Sequence, residues 1–133
     1  MMEPDEELLE YARRAATAAY ADYSGFRVGA AVRVNKTIYT GCNVENASYG
    51  LTVCAERVAI FAAVAAGARR IDAIAVACID AASDGPEGSL MPCGACRQVI
   101  SEFGADDLPV HVDRAGSFAL ASLLPRAFLL ARK

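Results

Sequence analysis

The stretch Ile71-Asp72-Ala73-Ile74-Ala75-Val76-Ala77-Cys78-Ile79 has no polar side chain after Asp72. A strand with one face in water alternates apolar and polar residues, whereas a strand covered on both faces reads as a continuous apolar run. This stretch therefore predicts a central strand, sandwiched between helices. Cys78, inside the run, reads as a core residue rather than a chemical one.

The flanks supply the helices. Residues 54–66 predict a helix closed by Gly67. It is apolar on nearly every face and so is expected to be buried, with its only charges, Glu56 and Arg57, in the first turn. Residues 80–91 form a polar loop, after which Pro92 opens a helix running to about Phe103. Short strands are expected at 109–112 and 117–120, around Arg114-Ala115-Gly116, followed by a helical turn through Leu123 and Leu124 to Pro125.

At the N-terminal end, residues 4–22 predict an amphipathic helix. Pro4 suits its first turn and Asp5, Glu6 and Glu7 suit the positive end of its dipole. Leu8, Leu9, Ala12, Ala16, Ala19, Tyr20 and Tyr23 recur at helical steps, and Ser24-Gly25 stops them. Residues 28–34 and 37–44 predict a hairpin around Asn35-Lys36, and a loop follows at 45–51. The order α-β-β-α-β-α-β-β-α predicts an α/β fold, a mixed sheet covered by helices on both sides, in one domain spanning residues 1–133.

Composition excludes several classes. With 55% hydrophobic and 22% charged residues, the chain can build a packed core and is not generally disordered. Thirteen basic residues against 16 acidic give a net charge of −3 with no basic run, which argues against a nucleic-acid partner. No apolar run approaches the ~18 residues a membrane span needs. The first residues, Met1-Met2-Glu3-Pro4-Asp5-Glu6-Glu7, are acidic, the opposite of a secretory signal. Five cysteines, an odd number without an export signal, argue against a disulfide framework and for a reducing, cytoplasmic compartment.

Four of those cysteines lie outside the apolar run. Cys54-Ala55-Glu56 and Pro92-Cys93-Gly94-Ala95-Cys96 each fall at a predicted helix start. Cys93 and Cys96, three apart, share a helix face. Helix N-termini lower thiol pKa values, and zinc needs thiolates. Cys54, Cys93 and Cys96 thus make a plausible three-ligand corner with formal charge −1, which the two helix dipoles and Arg57 offset. A fourth, open position is the mark of a catalytic zinc, which acidifies water. Glu56 then stands as a carboxylate beside that water, placed to shuttle protons.

Each piece alone has a plainer reading. A single Cys-x-x-Cys also fits a redox pair, a structural zinc or core packing. Glu56 alone fits a first-turn acid on a helix dipole. A structural zinc requires a fourth ligand, for which Cys42, Cys78 and His111 are candidates. Cys42 reads as a buried strand residue and His111 as a packing or surface residue. Phe26 alone reads as core, and Asn43-Val44-Glu45-Asn46 as turn chemistry. Joined across a buried strand, Cys-x-Glu and Pro-Cys-x-x-Cys match the zinc deaminase signature in its three-cysteine form.

At this point the chain resembles the cytidine deaminase family, in its small homotetrameric type. The likeness extends to Tyr23-Ser24-Gly25-Phe26-Arg27-Val28-Gly29-Ala30-Ala31, to Gly41-Cys42-Asn43-Val44-Glu45-Asn46-Ala47-Ser48-Tyr49-Gly50, and to Leu123-Leu124-Pro125-Arg126-Ala127-Phe128. The resemblance implies a three-layer α/β/α sandwich around a mixed five-stranded sheet. It implies one zinc per subunit on Cys54, Cys93 and Cys96, and conversion of cytidine and 2′-deoxycytidine to uridine and 2′-deoxyuridine with release of ammonia, a pyrimidine salvage reaction. Glu56 would protonate N3, assist attack at C4 and pass a proton to the departing ammonia. Asn43 and Glu45 would bind the ribose hydroxyls, Phe26 would stack on the base, and the Ala55 N–H would meet the base carbonyl. Tyr49 would line the pocket, Arg57 would hydrogen-bond the thiolates, and Phe128 would complete a neighbouring subunit's pocket in a homotetramer. A related family takes the aminoacyl-nucleoside blasticidin S; the stretch from Asn43 to Ala47 favours the plain nucleoside.

Overall fold

The structure, a computed structural model, describes residues 2–132. Met1 and Lys133, the ends of the expected domain, lie outside the described residues. Strands β1 (Val28–Val34) and β2 (Thr37–Cys42) form an antiparallel hairpin in which Val34 pairs with Thr37. The turn between them needs a left-handed residue, and Asn35 supplies it at φ 55°. β3 (Ala73–Cys78) lies antiparallel on the other side of β1. β4 (Pro109–Val112) runs parallel to β3, and β5 (Gly116–Ala119) closes the sheet antiparallel to β4, giving the order β2-β1-β3-β4-β5. A parallel pair requires a long crossover, and helix α3 (Gly94–Phe103) lies in the one between β3 and β4. All six residues of β3 are buried, as the apolar run predicts for the middle strand.

Alternation along the strands divides the core into two faces. Ala31, Ala73, Ala75 and Ala77 pack with Leu8, Leu9 and Ala12 of α1 (Glu6–Ala16). Ala30, Val32, Ile74 and Val110 face the other way, against Ala59, Ile60 and Ala63 of α2 (Ala55–Ala65) and Ile100 of α3. The result is the three-layer α/β/α sandwich. The hairpin lets both outer layers come close through glycine. A Cβ on Gly29 would stand 1.9 Å from the Ala12 carbonyl oxygen, and one on Gly41 would stand 2.4 Å from the Ala59 nitrogen. Backbone thus rests on backbone on each face, which seats α2 and its leading cysteine at a fixed height above the sheet.

Element ends differ from the sequence reading, each for a local reason. The first helix covers 6–16 rather than 4–22. Asp5 rather than Pro4 marks its start, accepting the Leu8 N–H at 3.0 Å as N-cap. At its other end the N–H groups of Thr17, Ala18 and Ala19 shift to carbonyls three residues back, and the Thr17 hydroxyl donates to the Arg14 carbonyl. Tyr20 then exchanges backbone hydrogen bonds with Asn43 and Glu45, which draws the chain onto the loop after β2. That loop begins at Asn43, since Val44 makes only isolated bridges to Tyr20 and Val53. The expected final turn at 123–125 lies earlier, as α4 (Leu120–Leu123), and β5 begins at Gly116.

Helix α2 is buried on one side only. Phe61 is 49% exposed, and Ala62 and Ala65 are also exposed, so the expectation of all-round burial fails for this chain taken singly. His111 is buried and its Nδ1 lies 2.7 Å from the Ser117 hydroxyl, a packing role on the α1 face of the sheet. Cys42 ends β2 half-buried. Among the described residues no helix is long and apolar enough to cross a membrane.

Candidate active site

Two helices begin at cysteines. Cys54 is the N-cap of α2 and Cys93 the N-cap of α3, both with extended backbone, where the sequence reading began the helices at Cys54 and Pro92. Neither side chain caps its own helix, so both sulfurs remain available. Cys96, on the first turn of α3, is completely buried. The Cys93 and Cys96 sulfurs are 3.4 Å apart and those of Cys54 and Cys93 are 4.0 Å apart, with all three within 4.8 Å of one another. A tetrahedral zinc with Zn–S bonds of about 2.3 Å sets its sulfur ligands about 3.8 Å apart. The two measured separations bracket that value, so the donor set fits zinc in both chemistry and spacing.

Its electrostatics point the same way. Arg57 Nη2 donates to the Cys54 sulfur at 3.3 Å, while Arg57 Nε is buried without a hydrogen-bond partner among the described residues. Hydrogen bonding from Cys96, with a further contribution from Arg57, draws the Cys54 thiol down to about 5 against the opposing effect of burial. Cys96, as the donor to Cys54 and buried, is pushed up. Between these two, the thiolate is favoured on Cys54, the sulfur that Arg57 contacts. Among the described residues no other His, Cys, Asp or Glu joins the cluster. The rival fourth ligands are engaged or distant in the fold: His111 faces α1, and the Cys78 thiol points toward the Ser89 and Leu90 carbonyls at 3.9 and 3.8 Å.

A cleft of about 190 Å³ opens beside this corner, with Cys54 and Cys93 in its wall. Ala55 and Glu56 form the part of the wall given by the start of α2, where backbone N–H groups have no intrahelical partners. Glu56 is only 4% exposed, and burial pushes its carboxyl up to about 7. Phe26 and Asn43 line the cleft from the β1 side. Asn43 is itself buried: its Nδ2 donates to the Phe26 carbonyl and its Oδ1 accepts the Val28 N–H, each at 2.9 Å. An amide has two donor hydrogens and two lone pairs on oxygen, so one of each remains. Glu45 lies beside the cleft rather than in its wall. Its carboxylate accepts the Tyr23 and Ser24 N–H groups, each at 3.0 Å, and the Ser24 hydroxyl, and the Ser24 bonds hold it below the ordinary glutamate range.

Tyr49 and Phe128 are elsewhere. Tyr49 is 84% exposed and Phe128 68% exposed, and neither lines the cleft of a single chain. Conversely, Thr52, Ser89 and Met91 line it without having been singled out from the sequence. Their signal was adjacency: Thr52 lies two residues before Cys54, and Met91 two before Cys93. Val76 and Cys78 also reach the cleft, from the face of β3 that looks toward α2 and α3. The core reading of Cys78 in the strand holds for its burial, and burial pushes its thiol up to about 11, but its place in the cleft wall was not legible.

Comparison with known proteins gives a consistent result. The family described as "Cytidine and deoxycytidylate deaminase zinc-binding region" matches residues 2–112. A cytidine deaminase of Sporosarcina psychrophila is 44% identical over 128 residues, covering 92% of this chain and 90% of that protein. One from Mycobacterium tuberculosis H37Rv is 47% identical over 122 residues, covering 88% and 84%. The crystal structure of cytidine deaminase from Burkholderia pseudomallei superposes with a TM-score of 0.82 at 45% identity, covering 95% of this chain and all of that one.

Proposed function

Because the chain belongs to the cytidine and deoxycytidylate deaminase family, we propose that it hydrolyses cytidine and 2′-deoxycytidine to uridine and 2′-deoxyuridine, releasing ammonia. The observation that carries this reading is the buried Glu56 carboxyl in the same small cleft as the three-sulfur corner. Cys54, Cys93 and Cys96 would hold zinc, which when bound supplies the Lewis acidity that brings the pKa of water toward neutrality. Glu56 takes a proton from the attacking water and places it on N3 of the base. Once the water oxygen is bonded to C4, Glu56 takes the second proton and gives it to the amino nitrogen. The C4–N bond then breaks, and the oxygen remains as the C4 carbonyl. The protons balance, with one on N3 of the product and one in the ammonia.

The rest of the cleft orients the nucleoside. The Ala55 N–H, free at the head of α2, suits the base carbonyl, and Phe26 offers its ring to the base. Asn43 retains a donor and a lone pair for a ribose hydroxyl, and Glu45, already fixed by Ser24, stands beside it. Arg57 steadies the Cys54 thiolate. Among the described residues no Lys or Arg lines the cleft, which supports an uncharged nucleoside over a nucleotide.

Tyr49 and Phe128 could meet a nucleoside only across a subunit boundary. Phe61, Leu51, Tyr49, Phe128, Leu129 and Leu130 are large apolar side chains open to water in the single chain, which supports a homotetramer in which Phe128 enters a neighbour's cleft. Sedimentation is expected to give a species of four chains; a lone 14.0 kDa species at working concentration would refute it. Five free cysteines, three of them needed as thiolates, support a reducing cytoplasmic setting, and one sheet with a core packed on each face supports a single domain. The test of the activity is ammonia release from cytidine, 2′-deoxycytidine, 2′-deoxycytidylate and blasticidin S. Release from the first two, abolished by a chelator and restored by zinc, is expected; preference for either of the others would overturn the reading.

A further inference from the structure

The segment from Tyr23 to Arg27 belongs to no strand, yet it carries Phe26 into the cleft wall. It is held from three sides. Glu45 accepts the Tyr23 and Ser24 N–H groups. Asn43 Nδ2 donates to the Phe26 carbonyl at 2.9 Å. On the remaining side Asp80 Oδ2 accepts the Arg27 N–H at 2.8 Å and Arg27 Nε at 2.9 Å, and Asp80 Oδ1 accepts Arg27 Nη2 at 2.9 Å. The Phe26 carbonyl and the Arg27 N–H are the two ends of one peptide unit. That plane is therefore pinned at its oxygen by Asn43 and at its nitrogen by Asp80, which fixes the ψ torsion of Phe26 and so how the residue that bears the ring is set relative to β1.

The two anchors are not equivalent. Asn43 is itself a cleft residue whose amide would be shared with the sugar, whereas Asp80 lies outside the cleft wall. Asp80 is also fixed in its turn. The Ala81 N–H bonds the Cys78 carbonyl at 3.2 Å, and the Arg114 guanidinium grips the Ala81 and Ala82 carbonyls at 3.1 and 3.0 Å. We propose that Asp80 is a positioning residue for base binding: through both the backbone and the guanidinium of Arg27 it fixes the Phe26 ring against the nucleobase. This rests on the reading of Phe26 as the face that meets the base. The Arg27 and Asp80 side chains are 44% and 25% exposed, and ion pairs so open to water add little to stability. The contribution of this one is geometric, so it should appear in substrate affinity rather than in folding.

The experiment compares the zinc-loaded parent with Asp80→Ala, Asp80→Asn, Arg27→Ala and Phe26→Ala in steady-state cytidine kinetics and thermal melting. Phe26→Ala is expected to raise KM about 10-fold or more, the scale of a lost base–aromatic stack. Asp80→Ala is expected to raise KM roughly 3- to 10-fold with kcat near the parent and a melting midpoint within a few degrees. Asp80→Asn keeps an oxygen for the Arg27 N–H, and Arg27→Ala keeps that N–H, so both should fall between Asp80→Ala and the parent. A parental KM in Asp80→Ala, with KM raised in Phe26→Ala, overturns the Asp80 proposal alone. A parental KM in both overturns the base-facing reading of Phe26 and this proposal with it. A loss confined to kcat, tracking a lowered melting midpoint, shows a merely structural role and also overturns it. Should Asp80→Ala fail to fold, the KM order of Asp80→Asn and Arg27→Ala against the parent decides in the same way.

Discussion

Glu56→Gln is expected to lower kcat for cytidine on the order of 10⁴-fold while leaving one zinc per chain and a nearly parental KM. The size follows from the number of tasks the carboxyl has. General acid–base help at one step is worth about 10²- to 10⁴-fold, and in the proposed reaction one group moves two protons in succession, from water to N3 and then to the amino nitrogen. No substitute is at hand. Glu56 is the carboxylate in the cleft wall, the Cys78 thiol is held in its neutral form by burial, and the single histidine faces α1 across the sheet. Glutamine keeps the shape and the hydrogen-bonding ability of the side chain but cannot carry a proton, so binding is retained and turnover is lost. The checks are kcat and KM from ammonia release, with zinc measured on the same sample. If the variant turned over cytidine within tenfold of the parent, another group would be moving the protons.

The residues that made this legible in the sequence were those whose chemistry admits few alternatives. Three cysteines at two helix starts and a glutamate two places after the first formed the pattern, and the structure brings the three sulfurs to within 4.8 Å of one another. The apolar run at 71–79 gave the middle strand because burial on both faces removes every polar position. What was not legible depends on partners far away in sequence. The first helix has apolar residues at helical steps through Tyr23, and nothing local says that Asn43 and Glu45 will take the Tyr20 backbone groups and end it early. The all-apolar α2 was read as buried, but an apolar surface is covered by whatever packs on it, and within one chain Phe61 has no cover. Asn43 and Glu45 were expected to bind sugar, and in the fold they also fasten the Phe26 segment, a double use that residue type does not announce. Ser89 and Met91 looked like the end of a polar loop, because a cleft wall built from a loop has no periodicity to read.

Cys96→Ala and Cys54→Ala are both expected to release zinc, and their stability losses should differ in a way that tests the role of Arg57. If three sulfurs hold the ion as proposed, losing one removes a bond rather than a supporting contact. The drop in zinc affinity should therefore exceed the 10- to 100-fold typical of losing a group that merely orients a ligand. Both variants should retain well under one zinc per chain after dialysis against a weak chelator, and both should lose measurable deamination. Stability separates them. Cys96 is fully buried at the base of α3, so its loss adds a small cavity to the loss of the metal. Cys54 is the sulfur that Arg57 Nη2 contacts at 3.3 Å, in a setting where Arg57 Nε already has no partner. Removing that sulfur takes away the larger of the two sulfur contacts of a half-buried guanidinium and leaves it Cys96 alone, at a cost on the order of 1–3 kcal/mol beyond zinc loss. Measured on chelator-treated proteins, Cys54→Ala should thus be destabilised relative to the parent, and Cys54→Ala combined with Arg57→Met should recover part of the difference. Retention of one zinc per chain by either single variant would show that the ion is held elsewhere. A double variant no more stable than Cys54→Ala would show that Arg57 does not depend on the thiolate.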